Sequence, residues 1–199
     1  MTDVDRFTRW SRTYEESRLQ TVFFDRVHHL TLETAAQLSA PQVVVDVGCG
    51  TGRLLRAVHR KWPAAQLIGV DPASGMIEVA RTLNSSATFH VGAAENLPLA
   101  DASADLVLST VSFHHWSDPA AGIREVARVL SPGGHFVLSD AVVPAWLAWL
   151  IRHKPFLNSR ERVGLVEGAG LRVIEQRSLF WNSMVITVAV HHAPPRGNG

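Results

Sequence analysis

The chain has 199 residues, 46% apolar and 19% charged, with 19 Lys plus Arg against 18 Asp plus Glu and a formal charge of +1. That length suits one domain with a core that needs no staples, and a second full domain would not fit. Balanced charge and average apolar content exclude a disordered chain and any general attraction to polyanions, so nucleic acid is not an expected partner. The lone Cys49 allows no internal disulfide and no multi-thiolate metal site, which fits a reducing compartment.

The first twenty residues alternate charges and lack the apolar core of a signal peptide, so a cytoplasmic location is expected. Phe7, Trp10, Tyr14, Leu19, Val22, Phe23, Val27 and Leu30 recur at helical spacing, with Arg6, Arg9 and Arg12 on a wet face. They predict one or two amphipathic helices.

From Val43 the texture changes to short β-branched runs at 43–47, 66–70, 87–91, 105–109 and 134–140. Helix-length segments at 52–61, 74–83 and 119–130 separate them. Strands alternating with helices predict an α/β fold with a mostly parallel sheet covered on both faces. Residues 92–103 read as a loop limited by Pro98.

The longest apolar stretch, 141–151, contains Trp146 and Trp149. It falls short of the ~18 residues of a membrane span. It must be buried by the fold, by a partner subunit in a homodimer, by a greasy substrate or at a membrane surface, the first two being the plainer readings. Residues 158–169 predict a helix, and strands at 171–178 and 184–190 are separated by a hairpin-length link, so that pair should be antiparallel. The Pro- and Gly-containing stretch 193–199 reads as frayed. The expected organisation is one domain over 1–199: a helical cap (1–40), a cofactor-binding core (41–140), an apolar acceptor or lid segment (141–158), and a C-terminal helix with a β-hairpin (159–192).

The sharpest local signal is Val43-Val-Val-Asp-Val-Gly-Cys-Gly-Thr-Gly-Arg53, a buried strand entering a glycine-rich turn and then a helix. Glycines let a ligand approach the backbone closely, so a nucleotide-like cofactor is implied. The spacing is G-x-G-x-G, with Arg53 where the dinucleotide fingerprint has its third glycine. Asp46 also precedes the turn, and a carboxylate there opposes a pyrophosphate but suits an ammonium or sulfonium. Asp71 closes the second strand, where an acid accepts ribose hydroxyls in nucleotide-binding α/β folds.

Asp46-Val-Gly-Cys-Gly-Thr-Gly52, Gly69-Val-Asp-Pro-Ala-Ser-Gly-Met76, Gly92-Ala-Ala-Glu-Asn-Leu-Pro98, Asp105-Leu-Val-Leu-Ser109 and Arg128-Val-Leu-Ser-Pro-Gly-Gly134 occur in that order. The series resembles the motifs of class I S-adenosylmethionine-dependent methyltransferases. It is most similar to the small-molecule branch that includes the ubiquinone and menaquinone biosynthesis C-methyltransferases. The resemblance implies a Rossmann-like doubly wound sheet of seven strands with the last antiparallel, S-adenosyl-L-methionine as cofactor, and methyl transfer to a small, hydrophobic or aromatic acceptor. It implies that Gly48, Gly50 and Gly52, with Cys49, line the methionine end, that Asp46 serves the amino group, and that Asp71 holds the ribose. Pro72 to Met76 would edge the adenine, Thr110 would stand beside the cofactor, and Tyr14 would close over it or staple the N-terminal helix. The family's usual Asp is Ala93 here, which leaves adenine recognition to the backbone of Ala94 or to Glu95. That departure also keeps open a cofactor-binding module without turnover.

Alignment and water exclusion are the main requirements of methyl transfer, with proton removal where the acceptor needs it. Ser109 to Trp116 leaves the fourth strand with His114 and His115, two candidate bases at the end where an acceptor arrives. They read more plainly as a helix-entry loop whose rings pack and hydrogen-bond locally, and contact with the acceptor is a safer expectation than catalysis. Cys49 reads as a space-filler rather than a nucleophile. His28-His29 and His191-His192 are adjacent pairs whose side chains diverge, so no metal site is expected.

Overall fold

Val43–Val47 (β1) is buried on both sides because it runs through the middle of the molecule, and Asp46 is its one polar side chain. The computed structural model describes residues 4–5, 7–8, 18–38, 40–142, 157–180 and 183–192, with side chains of the first long helix from residue 24 onward. Tyr14 and most of the apolar stretch, including Trp146 and Trp149, therefore lie outside the described residues.

Helix α1 (Arg18–Ala35) precedes β1, and α2 (Arg53–Lys61), β2 (Gln66–Asp71), α3 (Ser74–Leu83) and β3 (Thr88–Val91) follow. The chain then forms β4 (Ala104–Thr110), α4 (Pro119–Val129), β5 (Leu130–Ala141), α5 (Ser159–Gly168), β6 (Leu171–Leu179) and β7 (Met184–His191). The sheet order is β3-β2-β1-β4-β5-β7-β6. The pairs among β1 to β5 are parallel, and β7 is antiparallel to both β5 and β6. This is the expected α/β doubly wound arrangement with a C-terminal hairpin.

Alternation along the strands feeds two cores. Val45, Val47, Ile68, Val70 and Phe136 pack with Ile123 and Val126 of α4 and Val166 of α5. Val44, Leu67, Leu106 and Leu108 pack on the other face with Ala35 of α1, Leu54, Leu55 and Val58 of α2, and Ile77 of α3. Helix starts follow local chemistry. Asp118 caps α4 by accepting from Ala121 N at 3.0 Å with Pro119 at the first turn, and Asn158 and Glu161 form a capping box on α5.

Most boundaries fall within one residue of expectation, and the largest difference is at β5. It begins at Leu130 rather than 134, because Leu130 already pairs with Ala104 across a register shift in β4. α4 accordingly ends at Val129.

Arg128 ties the loop after β3 to α4. Its guanidinium donates to Leu97 O and Leu99 O and pairs with Asp101 and Glu125, each nitrogen–oxygen distance lying between 2.7 and 3.1 Å. The Arg128 partner holds the Glu125 carboxyl below the usual range, chiefly through their side-chain hydrogen bond. Arg128→Met is expected to lower stability by about 2 kcal/mol, mostly through the carbonyls it leaves unmet. Denaturant melts at pH 7 check this. A lowered folded pKa contributes stability that is lost as pH falls through it, so the gap between variant and wild type should narrow under acid.

The strand order reverses around β1: β2 and β3 lie to one side and β4 to the other. The carboxyl ends of β1, β2, β4 and β5 share one edge, and the crevice beyond such a switch point is where open α/β sheets bind ligands.

Candidate functional site

A cavity of about 230 Å³ opens at that edge. Its wall carries Asp46, Gly48, Cys49 and Gly50 after β1, Asp71, Pro72 and Met76 after β2, and Ala93, Ala94 and Glu95 after β3. Thr110, Val111, Ser112, His115 and Trp116 follow β4, while Val4, Phe7, Phe24 and His28 approach from the N-terminal side. Twelve of the fifteen residues singled out from the sequence thus share one surface; Gly52 and His114 do not, and Tyr14 lies outside the described residues.

Gly52 departs from expectation for a steric reason. A Cβ there would meet Phe89 Cζ at 2.9 Å, so this glycine serves the packing of α2 on the sheet rather than the cavity wall. His114 is turned away too, its Nδ1 lying 2.7 Å from Asp140 Oδ1.

Four amides of the glycine loop are already committed. Gly48 N and Cys49 N both donate to Val70 O, Gly52 N donates to Cys49 O, and Gly50 N donates to Asp71 Oδ2 at 2.9 Å. A pyrophosphate nest requires several amides aimed at the ligand, and these four are turned inward.

Carboxylates dominate instead. Asp71 also accepts from Ala73 N at 2.9 Å, so each of its oxygens has one amide and one lone-pair direction left. Asp46 is 1% exposed, and its Oδ1 is buried without a hydrogen-bond partner. Burial, with the Asp71 charge adding to it, pushes the Asp46 carboxyl up to about 8. Burial raises Asp71 as well, with the Ala73 and Gly50 amides opposing. An orphaned acidic oxygen beside a second carboxylate is a site for a cation.

Glu95 is partly committed, accepting from Asp118 N at 2.9 Å. Cys49 is buried, and burial raises its thiol well above the ordinary value, with Asp46 and Asp71 adding to the rise, which suits a space-filler. Among the described residues there is no cluster able to hold a metal ion and no helix long and apolar enough to cross a membrane.

Beyond β4 the backbone is strained. Val111 has φ 51°, a costly conformation for a β-branched residue, and Val111 N donates to Ser139 O at 2.8 Å. Ser112 Oγ donates to Val47 O at 3.0 Å, and a 3-10 turn, Phe113–His115, follows. The ring of His115 lies 4.0 Å from that of His114 and 5.1 Å from that of Phe7, edge-on to the latter.

Two residues that sequence reasoning missed support this turn. Asp140, fully buried at the end of β5, accepts from His114 Nδ1, His114 N and Ala141 N. Arg162, 1% exposed on α5, donates to Val185 O and Ala141 O and lies 5.7 Å over the Phe113 ring. The one available signal for Asp140 is that it ends a strand as Asp71 does.

A parallel sheet with this switch point, an antiparallel terminal hairpin and acids after β1 and β2 defines a Rossmann-like methyltransferase fold. Residues 45–138 match a family model described as a methyltransferase domain. The chain is 39% identical over 111 residues to a malonyl-[acyl-carrier protein] O-methyltransferase of Hahella chejuensis, a match covering 55% of this chain and 40% of that protein. It is 34% identical over 126 residues to a demethylmenaquinone methyltransferase of Thermotoga maritima, covering 63% and 53%. A Haloferax volcanii methyltransferase, solved in complex with the Trm112 methyltransferase activator, superposes with a TM-score of 0.81 at 24% identity over 94% of this chain and 98% of that one.

Residues 45–138 are thus similar to methyltransferase domains, and that similarity implies S-adenosylmethionine as cofactor. The chain spans about half the length of the curated relatives it matches. Those two relatives are named for different acceptors, so the similarity leaves the acceptor to be read from this chain's own residues.

Proposed function

We propose that this chain transfers a methyl group from S-adenosylmethionine to a small, hydrophobic or aromatic molecule. The observation that carries the reading is the buried, partnerless Asp46 Oδ1 beside a glycine loop four of whose amides are already used. That combination suits an α-ammonium and a sulfonium and sets a buried acid against a pyrophosphate, which disfavours a nicotinamide cofactor. When bound, S-adenosylmethionine supplies an electrophilic methyl group on a positively charged sulfur.

In this reading Asp46 receives the methionine amino group, and Asp71 directs its two remaining lone pairs at the ribose hydroxyls. Pro72 and Met76 flank the adenine, with Ala93 and Ala94 opposite, and Glu95 contributes only what its bond to Asp118 N leaves over. Thr110 and Val111 border the methionine end. Phe7, Phe24 and Val4 supply apolar wall on the acceptor side and exclude water there. A cofactor-binding module without turnover is the second reading, favoured by alanine at 93 on the cavity wall.

Calorimetric titration with S-adenosylmethionine, S-adenosylhomocysteine and NAD separates the classes: tight NAD binding without sulfonium binding would overturn the proposal. Methyl-labelled cofactor incubated with a metabolite extract should then label a small molecule, and persistent absence of label would favour the module.

Asp71→Asn tests the ribose assignment. Asparagine keeps one accepting oxygen, so cofactor affinity is expected to fall by about 2 kcal/mol, roughly thirtyfold. Asp71→Ala should cost more and also lower the melting temperature, since Gly50 N and Ala73 N lose their acceptor. Unchanged affinity in both variants would place the ribose elsewhere.

A further inference from the structure

We propose that His115 is the base that takes a proton from the methyl acceptor, and that Asp140, acting through His114, is the positioning residue that aims it. This rests on the methyl-transfer reading above and adds the acceptor's chemistry: its nucleophilic atom arrives carrying an acidic proton, as a hydroxyl on an apolar ring does.

The geometry starts from Asp140. A carboxylate only accepts, so the 2.7 Å contact with His114 Nδ1 is a bond that the imidazole donates, which fixes the ring's tautomer and orientation. The His114 backbone N–H donates to the other oxygen at 3.3 Å, so both ends of the residue are held by one buried group. Arg162 carries the opposite charge close enough to Asp140 to interact with it, and it covers the Phe113 ring.

His115 is the histidine that reaches the cavity. It lies against the anchored His114 ring on one side and the Phe7 edge on another, and its backbone N–H donates to Ser112 O at 2.9 Å. The turn that carries it is tied to β1 through Ser112, to β5 through Val111 and Asp140, and to α5 through Arg162. A group held by three elements beside the glycine loop is preorganised for a reaction whose main demand is alignment.

His28 is the other imidazole in the cavity wall, but it sits on α1, and its tilted ring contact with Phe24 comes from the same helix. Electrons and atoms balance simply for a hydroxyl acceptor. The O–H proton passes to the His115 imidazole, the oxygen lone pair forms the new O–CH3 bond, and the carbon–sulfur pair stays on sulfur, leaving S-adenosylhomocysteine and an imidazolium that returns its proton to water.

The test uses the whole chain with S-adenosylhomocysteine bound and 4-nitrophenol as probe, whose anion absorbs in the visible. Cofactor affinity is measured first in wild type, Asp140→Asn, His115→Ala and His28→Ala. Failure of S-adenosylhomocysteine to bind wild type would sink the methyl-transfer reading itself and the base with it. With cofactor bound, wild type is expected to shift the probe's ionisation toward the anion by roughly tenfold, and His115→Ala should abolish the shift. His28→Ala should keep it.

Asp140→Asn should reduce the shift severalfold while leaving cofactor affinity within about twofold, and 15N-histidine spectra should show the His114 Nδ1 proton exchanged for the Nε2 tautomer. A merely structural Asp140 would leave that tautomer unchanged. An unshifted probe in wild type, a shift that survives His115→Ala, or a shift lost in His28→Ala would each overturn the assignment.

Discussion

Asp46→Asn is expected to raise the melting temperature of the ligand-free protein and, at the same time, to weaken binding of S-adenosylmethionine. The two effects have one cause. Burial raises the Asp46 carboxyl to about 8 in the folded protein, whereas an unfolded chain releases that proton near the ordinary carboxyl value. Between those two values the folded state holds a proton that the unfolded state has lost, so wild-type stability falls as pH rises from about 4 to 8. The full span is on the order of 5 kcal/mol. Asparagine cannot ionise and escapes that loss. Variant and wild type should therefore melt together at about pH 4 and below, and the variant should melt roughly 10 °C higher or more at pH 8.5.

Binding runs the other way. An α-ammonium facing Asp46 Oδ1 favours the charged carboxylate, so wild type should release a proton as it binds cofactor near pH 7, and affinity should rise between pH 6 and 8. Asparagine removes the charge partner, costing about 3 kcal/mol of binding, and abolishes the proton release. Calorimetry in two buffers of different ionisation enthalpy reads the proton directly. A variant that gains stability yet binds cofactor as well as wild type would show that the amino group lies elsewhere.

Asp46, Asp71 and the strand ends were legible because each lies within a few residues of the signal that reveals it: a β-branched run, then a turn that only glycine fits. β1 and α3 begin and end where periodicity put them. What could not be read is what depends on distant partners. Gly52 looked like a third cofactor glycine, and only Phe89, brought alongside from β3, shows that its missing side chain makes room for packing. The two neighbouring histidines looked interchangeable. Asp140, 26 residues further on, turns one of them inward, and Arg162 from α5 completes the support. β5 began early for the same reason, since the pairing of Leu130 with Ala104 is a property of the sheet. Local chemistry thus located the glycine-loop end of the cavity, while the end that carries His115 is assembled by contacts between strands and helices remote in sequence.

The glycine loop allows folding and ligand binding to be separated at neighbouring positions, and Gly50→Ala is expected to keep the fold while losing the cofactor. Gly50 has φ 52°, so alanine costs roughly 1 kcal/mol of backbone strain, and its Cβ would find nothing within 4 Å. A decrease of roughly 3 °C in melting temperature is the expected structural effect. The methyl group would nevertheless project from the wall of the cavity shared with Asp46 and Asp71. A ligand that fits against the bare backbone there must retreat from it, and overpacking of that kind costs about 1–3 kcal/mol, roughly 5- to 150-fold in affinity. Gly48→Ala should behave in the opposite order. Its Cβ would run into Cβ and Oγ of Ser112, whose hydroxyl bonds Val47 O and whose turn carries His115, so the variant should lose several kcal/mol of stability before any ligand is added. Melting curves and calorimetric titrations of the two variants give a crossed pattern if the cofactor lies against Gly50. Wild-type affinity in a folded Gly50→Ala protein would instead mean that the ligand never touches the loop.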